Sequence, residues 1–177
     1  RLEVMRQNDD LSREVRDEVL RRLANVCMVR GYYRASVSFY QELLERYPRD
    51  IRVLNNLAYV LSTHLGQGRR CRDLAQRALG LIRKESTMYA PLLDTLGMAY
   101  LRLANYSDAE AAFQESLIHR QTAVAAAHLG LLYAVQGREE EKKQQFQRAV
   151  QWALEERDPA AYRNVYKLRA EAGLGDT

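Results

Sequence analysis

Along residues 93–117, LDTLGMAYLRLANYSDAEAAFQESL, apolar positions recur at helical spacing, stop, and then recur. Leu93, Leu96, Gly97, Tyr100 and Leu103 fall on one face of a first helix. Ala104-Asn105-Tyr106-Ser107 interrupts the pattern. Ala109, Ala112, Phe113, Ser116 and Leu117 then form the inward stripe of a second helix, with Ser107 and Asp108 placed to cap and charge its start. That stripe is small residues around one ring, and Gly97 removes a side chain where another helix must approach. The pattern predicts an antiparallel helical hairpin closed by a tight contact.

The flanking sequence repeats this hairpin imperfectly. Residues 1–11 read as the end of an upstream helix or a linker, with Leu2 and Met5 on one side and a capped break at Asp9-Asp10-Leu11-Ser12. A first copy, over about 12–50, carries Val15, Val19, Leu20, Leu23, Ala24 and Cys27 at helical spacing up to Gly31. Its second helix holds Val37, Tyr40, Leu43 and Leu44 and stops at Pro48. A second copy, over about 51–84, has Leu54, Leu57, Ala58 and Leu61, a Gly66-Gln67-Gly68 turn, and a helix from about Arg70 through Ile82. Lys84 to Thr87 reads as an insertion before the third copy, at about 88–121. The fourth, over about 122–157, has Leu129-Gly130, Tyr133, a Gln136-Gly137 turn, and Phe146 and Ala149 inward, with Lys142 where a small residue is expected. Beyond it, Asp158-Pro159 supplies an N-cap and a first helical residue and Gly173 an end, so 158–177 reads as one helix, with Tyr162, Val165, Tyr166 and Leu168 apolar, and a tail.

Leu23, Leu57, Leu96 and Leu129 stand 34, 39 and 33 residues apart, the long interval coinciding with the insertion. The order Leu-Gly-x2-Tyr, an Ala nine residues after the Tyr and a Phe four later resembles the tetratricopeptide repeat, whose period is about 34 residues. The resemblance covers residues 12–157. It implies an all-α fold, a right-handed α-solenoid of about four helix-turn-helix repeats ended by a C-terminal capping helix with one wettable face.

The resemblance also implies a protein-interaction scaffold, part of a larger assembly or adaptor protein, whose ligand lies in a concave groove lined by the first helix of each pair. The ligand-facing positions of that family correspond here to Arg21, Arg22 and Asn25, then Arg52, Asn55, Asn56 and Tyr59, then Asp94, Met98, Leu101 and Arg102, then His128, Leu131 and Val135. Such a groove is basic and amide-rich at one end and apolar at the other, suited to a peptide or partner helix with an acidic part and an apolar part. Cover by the chain's own ends, or by self-association, is the competing expectation. Arg21, Asn25 and Asn56 match three positions by which one subfamily holds a C-terminal carboxylate, whereas Pro91 and Thr95 stand where its remaining cations would.

Composition changes this picture little. With 47% apolar and 28% charged residues, the 177-residue chain can bury a core. No apolar run approaches membrane-spanning length and the start carries no leader-like stretch, so this chain is not expected to insert in a membrane. Because it opens on Arg1, a targeting segment upstream would allow a bacterial cell envelope, with the cytoplasm the favoured compartment. The net charge of +4 comes mostly from Arg interspersed with acids, the pattern of solvated helix faces. It leaves RNA binding by a helical-repeat array, as in pentatricopeptide proteins, as the alternative function. The Leu-Gly-x2-Tyr form and the unevenly charged groove favour a protein ligand over nucleic acid.

Cys27 and Cys71 read as core thiols, and no Cys/His spacing suits zinc, so no metal and no cofactor is expected. His64, His119 and His128 lie far apart without a nucleophile in a recognised arrangement and read as surface histidines. The Gly66–Gly68 turn lacks the strand and Lys-Ser/Thr ending of a phosphate loop, and Glu139–Glu141 favour the positive end of a helix dipole. The chain is expected not to be an enzyme.

Overall fold

A computed structural model describes the backbone of residues 2–155, 157 and 159–174, and the side chains from residue 13 onward within them. Every regular element among these residues is an α-helix: α1 (Leu2–Val29), α2 (Tyr33–Arg46), α3 (Ile51–Thr63), α4 (Gly68–Leu79), α5 (Tyr89–Arg102), α6 (Tyr106–His119), α7 (Ala123–Val135), α8 (Glu139–Glu155) and α9 (Pro159–Glu171). None is long and apolar enough to cross a membrane. Consecutive helices pair as α1–α2, α3–α4, α5–α6 and α7–α8, each pair stacks on the next, and α9 packs on α7 and α8.

Each hairpin closes where a bulky side chain of its second helix meets a small residue of its first. A Cβ added at Gly97 would lie 2.6 Å from the Phe113 ring, and one at Gly130 would lie 2.9 Å from Phe146. Ala24 and Tyr40 hold the corresponding positions in the first hairpin, both buried. The tight turns need a left-handed residue, which is Gly31 after α1, Gly66 after α3 and Gly137 after α7. Ala104 takes that conformation after α5, at φ 58°.

Stacking between hairpins uses a separate row. On α3 it is Val53, Leu57 and Val60, on α5 Leu92, Leu96 and Ala99, on α7 Ala125, Leu129 and Leu132, and on α9 Ala161, Val165 and Leu168, all at most 8% exposed. On α1 the equivalent Val19, Leu23 and Val26 are 48%, 42% and 55% exposed, with no described element covering that row. The face of α1 that is buried instead carries Leu20 and Ala24 and a polar lock: Asp17, almost fully buried, accepts from Arg46 at 2.5 Å and from the Tyr47 hydroxyl at 2.5 Å. The Tyr47 hydrogen bond, aided by Arg46, holds the Asp17 carboxyl below its ordinary value despite burial.

Several local expectations are corrected. α1 runs through Asp9–Ser12 without a break, so capping residues there do not start a new helix. α4 ends at Leu79 rather than near Ile82, and α6 starts at Tyr106, with Asn105 at its cap making no side-chain bond and Ser107 inside the helix. Side-chain caps do form at Asp50 and Thr122, which accept from the backbone N–H of Val53 and Ala125. Lys142, where a small residue was expected, is buried: its ammonium reaches Glu139 at 2.5 Å and the Ala172 carbonyl at 3.5 Å, tying α8 to the end of α9. The expected N-cap at Asp158, the last three residues, and the side chains of Leu2 and Met5 lie outside the described residues.

Gly97→Ala is expected to destabilise the fold by about 1–3 kcal/mol, since the Phe113 ring must move to admit the methyl group. A chemical-denaturation midpoint unchanged by the substitution would place Gly97 away from the contact.

Candidate functional site: the concave groove

The first helices α1, α3 and α5 bring their polar positions together along one surface. Asn25 Oδ1 accepts from the Tyr40 hydroxyl at 2.6 Å and from the Asn56 amide at 3.4 Å, and the Thr95 hydroxyl donates to Asn55 at 3.1 Å. Further along, two adjoining cavities of about 90 and about 330 Å³ share Tyr59, Val124 and Asn164. Their floor includes Met98, Asp94, His128 and Leu131, and their far wall is α9, through Asn164, Lys167 and Glu171. The groove is therefore a slot between α3 and the terminal helix rather than an open trough.

Solved structures share the fold. A thermophilic TPR protein of Thermus thermophilus matches with TM-score 0.68 and 22% identity over 89% of this chain and 79% of that one. This repeat-stacked geometry over nearly the whole chain decides the fold. The chain has the tetratricopeptide-repeat fold. MamA from Desulfovibrio magneticus matches with TM-score 0.58 at 19% identity, covering 89% of this chain and 86% of that one. BtubC from P. vanneervenii matches with TM-score 0.60 at 22% identity, covering 89% and 73%. No family model matches the sequence, and no curated protein matches it either.

Within the tetratricopeptide array the expected groove residues divide into exposed and engaged. Arg21 is held by Asp50 at 3.0 Å and lies over the Tyr47 ring, and Arg102 donates to the carbonyls of Ser62 and Thr63 at 2.9 and 3.3 Å, capping the end of α3. Arg22 is exposed and pairs with Glu18, and Arg52 is exposed with no ion pair among the described residues. Asn55, Asn56 and Tyr59 are half-buried, Met98 is 1% exposed beneath the cavity, Leu101 and Leu131 are half-buried, and Val135 is exposed at the far end.

Two histidines are not surface groups. His128 is 1% exposed, its Nδ1 lying 2.9 and 3.0 Å from the two carboxylate oxygens of Asp94, 34 residues away. His64, at the end of α3, stacks flat on Tyr33 with ring centroids 3.9 Å apart, while His119 remains exposed. The groove residues not anticipated from the sequence come from α9. Asn164, Lys167 and Glu171 sit at i, i+3 and i+7, a helical row that was visible as polar but had no counterpart in the repeat template.

What this surface can do is hydrogen-bond an extended chain and bury apolar side chains. Among the described residues no group of three or more His, Cys, Asp or Glu is arranged to hold a metal. Cys71 is buried, and burial pushes its thiol up to about 11, so it stays protonated and unreactive at neutral pH.

Burial, with Lys167 and Arg102 nearby, holds His64 below its ordinary value of 6.5, so the folded state favours the neutral ring. A depressed pKa contributes stability that is present above 6.5 and is lost as pH falls through the folded value. The stability difference between the native chain and His64→Gln is expected to shrink between about pH 7 and pH 5. Thermal midpoints of both proteins across that range check it, and a difference independent of pH would contradict it.

Proposed function

We propose that the chain is a protein-interaction scaffold that takes a peptide segment or partner helix into the slot between α3 and α9. The observation that carries the reading is the slot itself: convergent amides, a tyrosine and half-buried aliphatic side chains from successive hairpins, the mixture that binds backbone and apolar anchors together. The acidic part of the ligand meets Arg22 and Arg52, since Arg21 and Arg102 are already engaged within the fold. Its apolar part meets Leu101, Leu131 and Val135. RNA binding stands as the second reading and is separated by its salt dependence.

Affinity capture with the full chain at physiological salt is expected to retain a protein partner. The double substitution Arg22→Ala with Arg52→Ala then weakens binding most at low salt, whereas Leu131→Asp weakens it at every ionic strength, because salt screens exposed charge and not burial. Affinity changed by less than about twofold in both cases would put the ligand outside the groove. Tight single-stranded RNA binding that falls steeply with salt would favour the nucleic-acid reading.

A further inference from the structure

The second helices α6 and α8 bound a groove of about 570 Å³ on the outer side of the array, floored by Leu129 and Tyr133 of α7 and sharing no lining residue with the slot. Two of its residues depart from what the other hairpins carry at the same register. Aligned on Tyr40, Ala75, Phe113 and Phe146, Ile118 corresponds to Glu45, Gly80 and Gln151, yet it is apolar and 82% exposed. Gln145 corresponds to Phe39, Leu74 and Ala112, and its Oε1 is buried without a hydrogen-bond partner. A buried acceptor without a donor destabilises the chain unless a ligand supplies one. Trp152, half-buried, stands beside them, with the exposed Arg148 over its ring at 5.6 Å.

Two features select the occupant. A side-chain amide matches a peptide group, which offers N–H and C=O side by side, and the torsion that turns a glutamine amide is soft enough to swing Oε1 into the groove. In a helix those backbone groups are already paired along the helix, so an extended segment fits and a helix does not. Secondly, Arg148 is the only charged group among the described residues that line the groove, so its complement is a carboxylate. Leu117 and Ile118 supply an apolar seat, and in an extended chain alternate side chains share the face that meets it.

We propose that the α6–α8 groove is a second peptide site, taking an extended segment of a partner protein that carries an acidic and an aliphatic residue on one face. The carboxylate meets Arg148, a backbone N–H donates to Gln145 Oε1, and the aliphatic side chain lies on Leu117 and Ile118 beside Trp152. The site stands independently of the slot, so the scaffold holds two segments at once, one on each side of the array.

Trp152 is the one tryptophan of the chain, so its emission reports this groove directly. Titration of the full chain with pools of capped hexapeptides, Asp fixed at the second position and Leu at the fourth or sixth, is expected to change that emission saturably at about 10–500 µM. Pools with Lys in place of Asp bind at least about tenfold more weakly, and Arg148→Glu reverses the preference. Gln145→Leu, which copies the residue at that register on α4, and Ile118→Ser each weaken the Asp pools at least about fivefold. Neither removes a contact of the folded chain, since Oε1 has no partner and Ile118 faces solvent, so their thermal midpoints do not fall. Arg22→Ala with Arg52→Ala leaves the Trp152 response unchanged, which separates this site from the slot. No saturable change with any pool up to about 1 mM overturns the proposal. Equal binding of the Lys pools, or binding indifferent to Gln145→Leu and Ile118→Ser, overturns it equally. Emission that shifts with protein concentration in the absence of peptide gives the groove to a second copy and overturns it too.

Discussion

The seat of one aromatic ring on one missing side chain governs this molecule. Phe113 on Gly97 and Phe146 on Gly130 set the distance between the two helices of a hairpin, and that distance sets where the stacking row of the first helix points. A hairpin opened by even one methyl group presents its edge to the next at a changed angle, and in an array where each unit touches chiefly its neighbours the error passes along the stack. The first hairpin uses Ala24 and Tyr40 in the same places, so the contact is tuned along the chain, tightest in the second half.

The groove is a consequence of that stacking. Residues two before the repeated Leu meet the residue one before it in the next first helix, Asn55 with Thr95 and Asp94 with His128, and Asn25, two after Leu23, meets Asn56. These links lock the concave surface and at the same time present its remaining donors and acceptors to a ligand. The terminal helix completes the slot. Tyr166 stands at the α9 position where Gly130 stands on α7, and α9 packs across α7 and α8.

Hairpins were legible in the sequence because helical periodicity and the Leu-small pair are local signals, and the spacing of Leu23, Leu57, Leu96 and Leu129 gave the stack. Two kinds of feature were not legible. Asp9–Ser12 carries capping residues, yet capping side chains only favour a helix start and do not force one, and α1 passes through them. The state of a side chain depends on elements remote in sequence: Arg21 is spoken for by Asp50, Arg102 by the end of α3, and His128 by a carboxylate one repeat period earlier. Periodicity placed these groups on the correct face without showing that they were already bonded. Exposure of Val19, Leu23 and Val26 was hidden for the opposite reason, since an apolar row reads the same whether or not a neighbour covers it.

Native-state hydrogen exchange, resolved by residue along the described helices, tests most directly whether the aromatic-on-glycine contacts hold the array together. Amides of α5 to α8, the two hairpins closed by Phe113 and Phe146, should exchange last and together, with α1 opening first because its stacking row is uncovered. Uniform protection across all hairpins, or greatest protection in α1 and α2, would contradict the account.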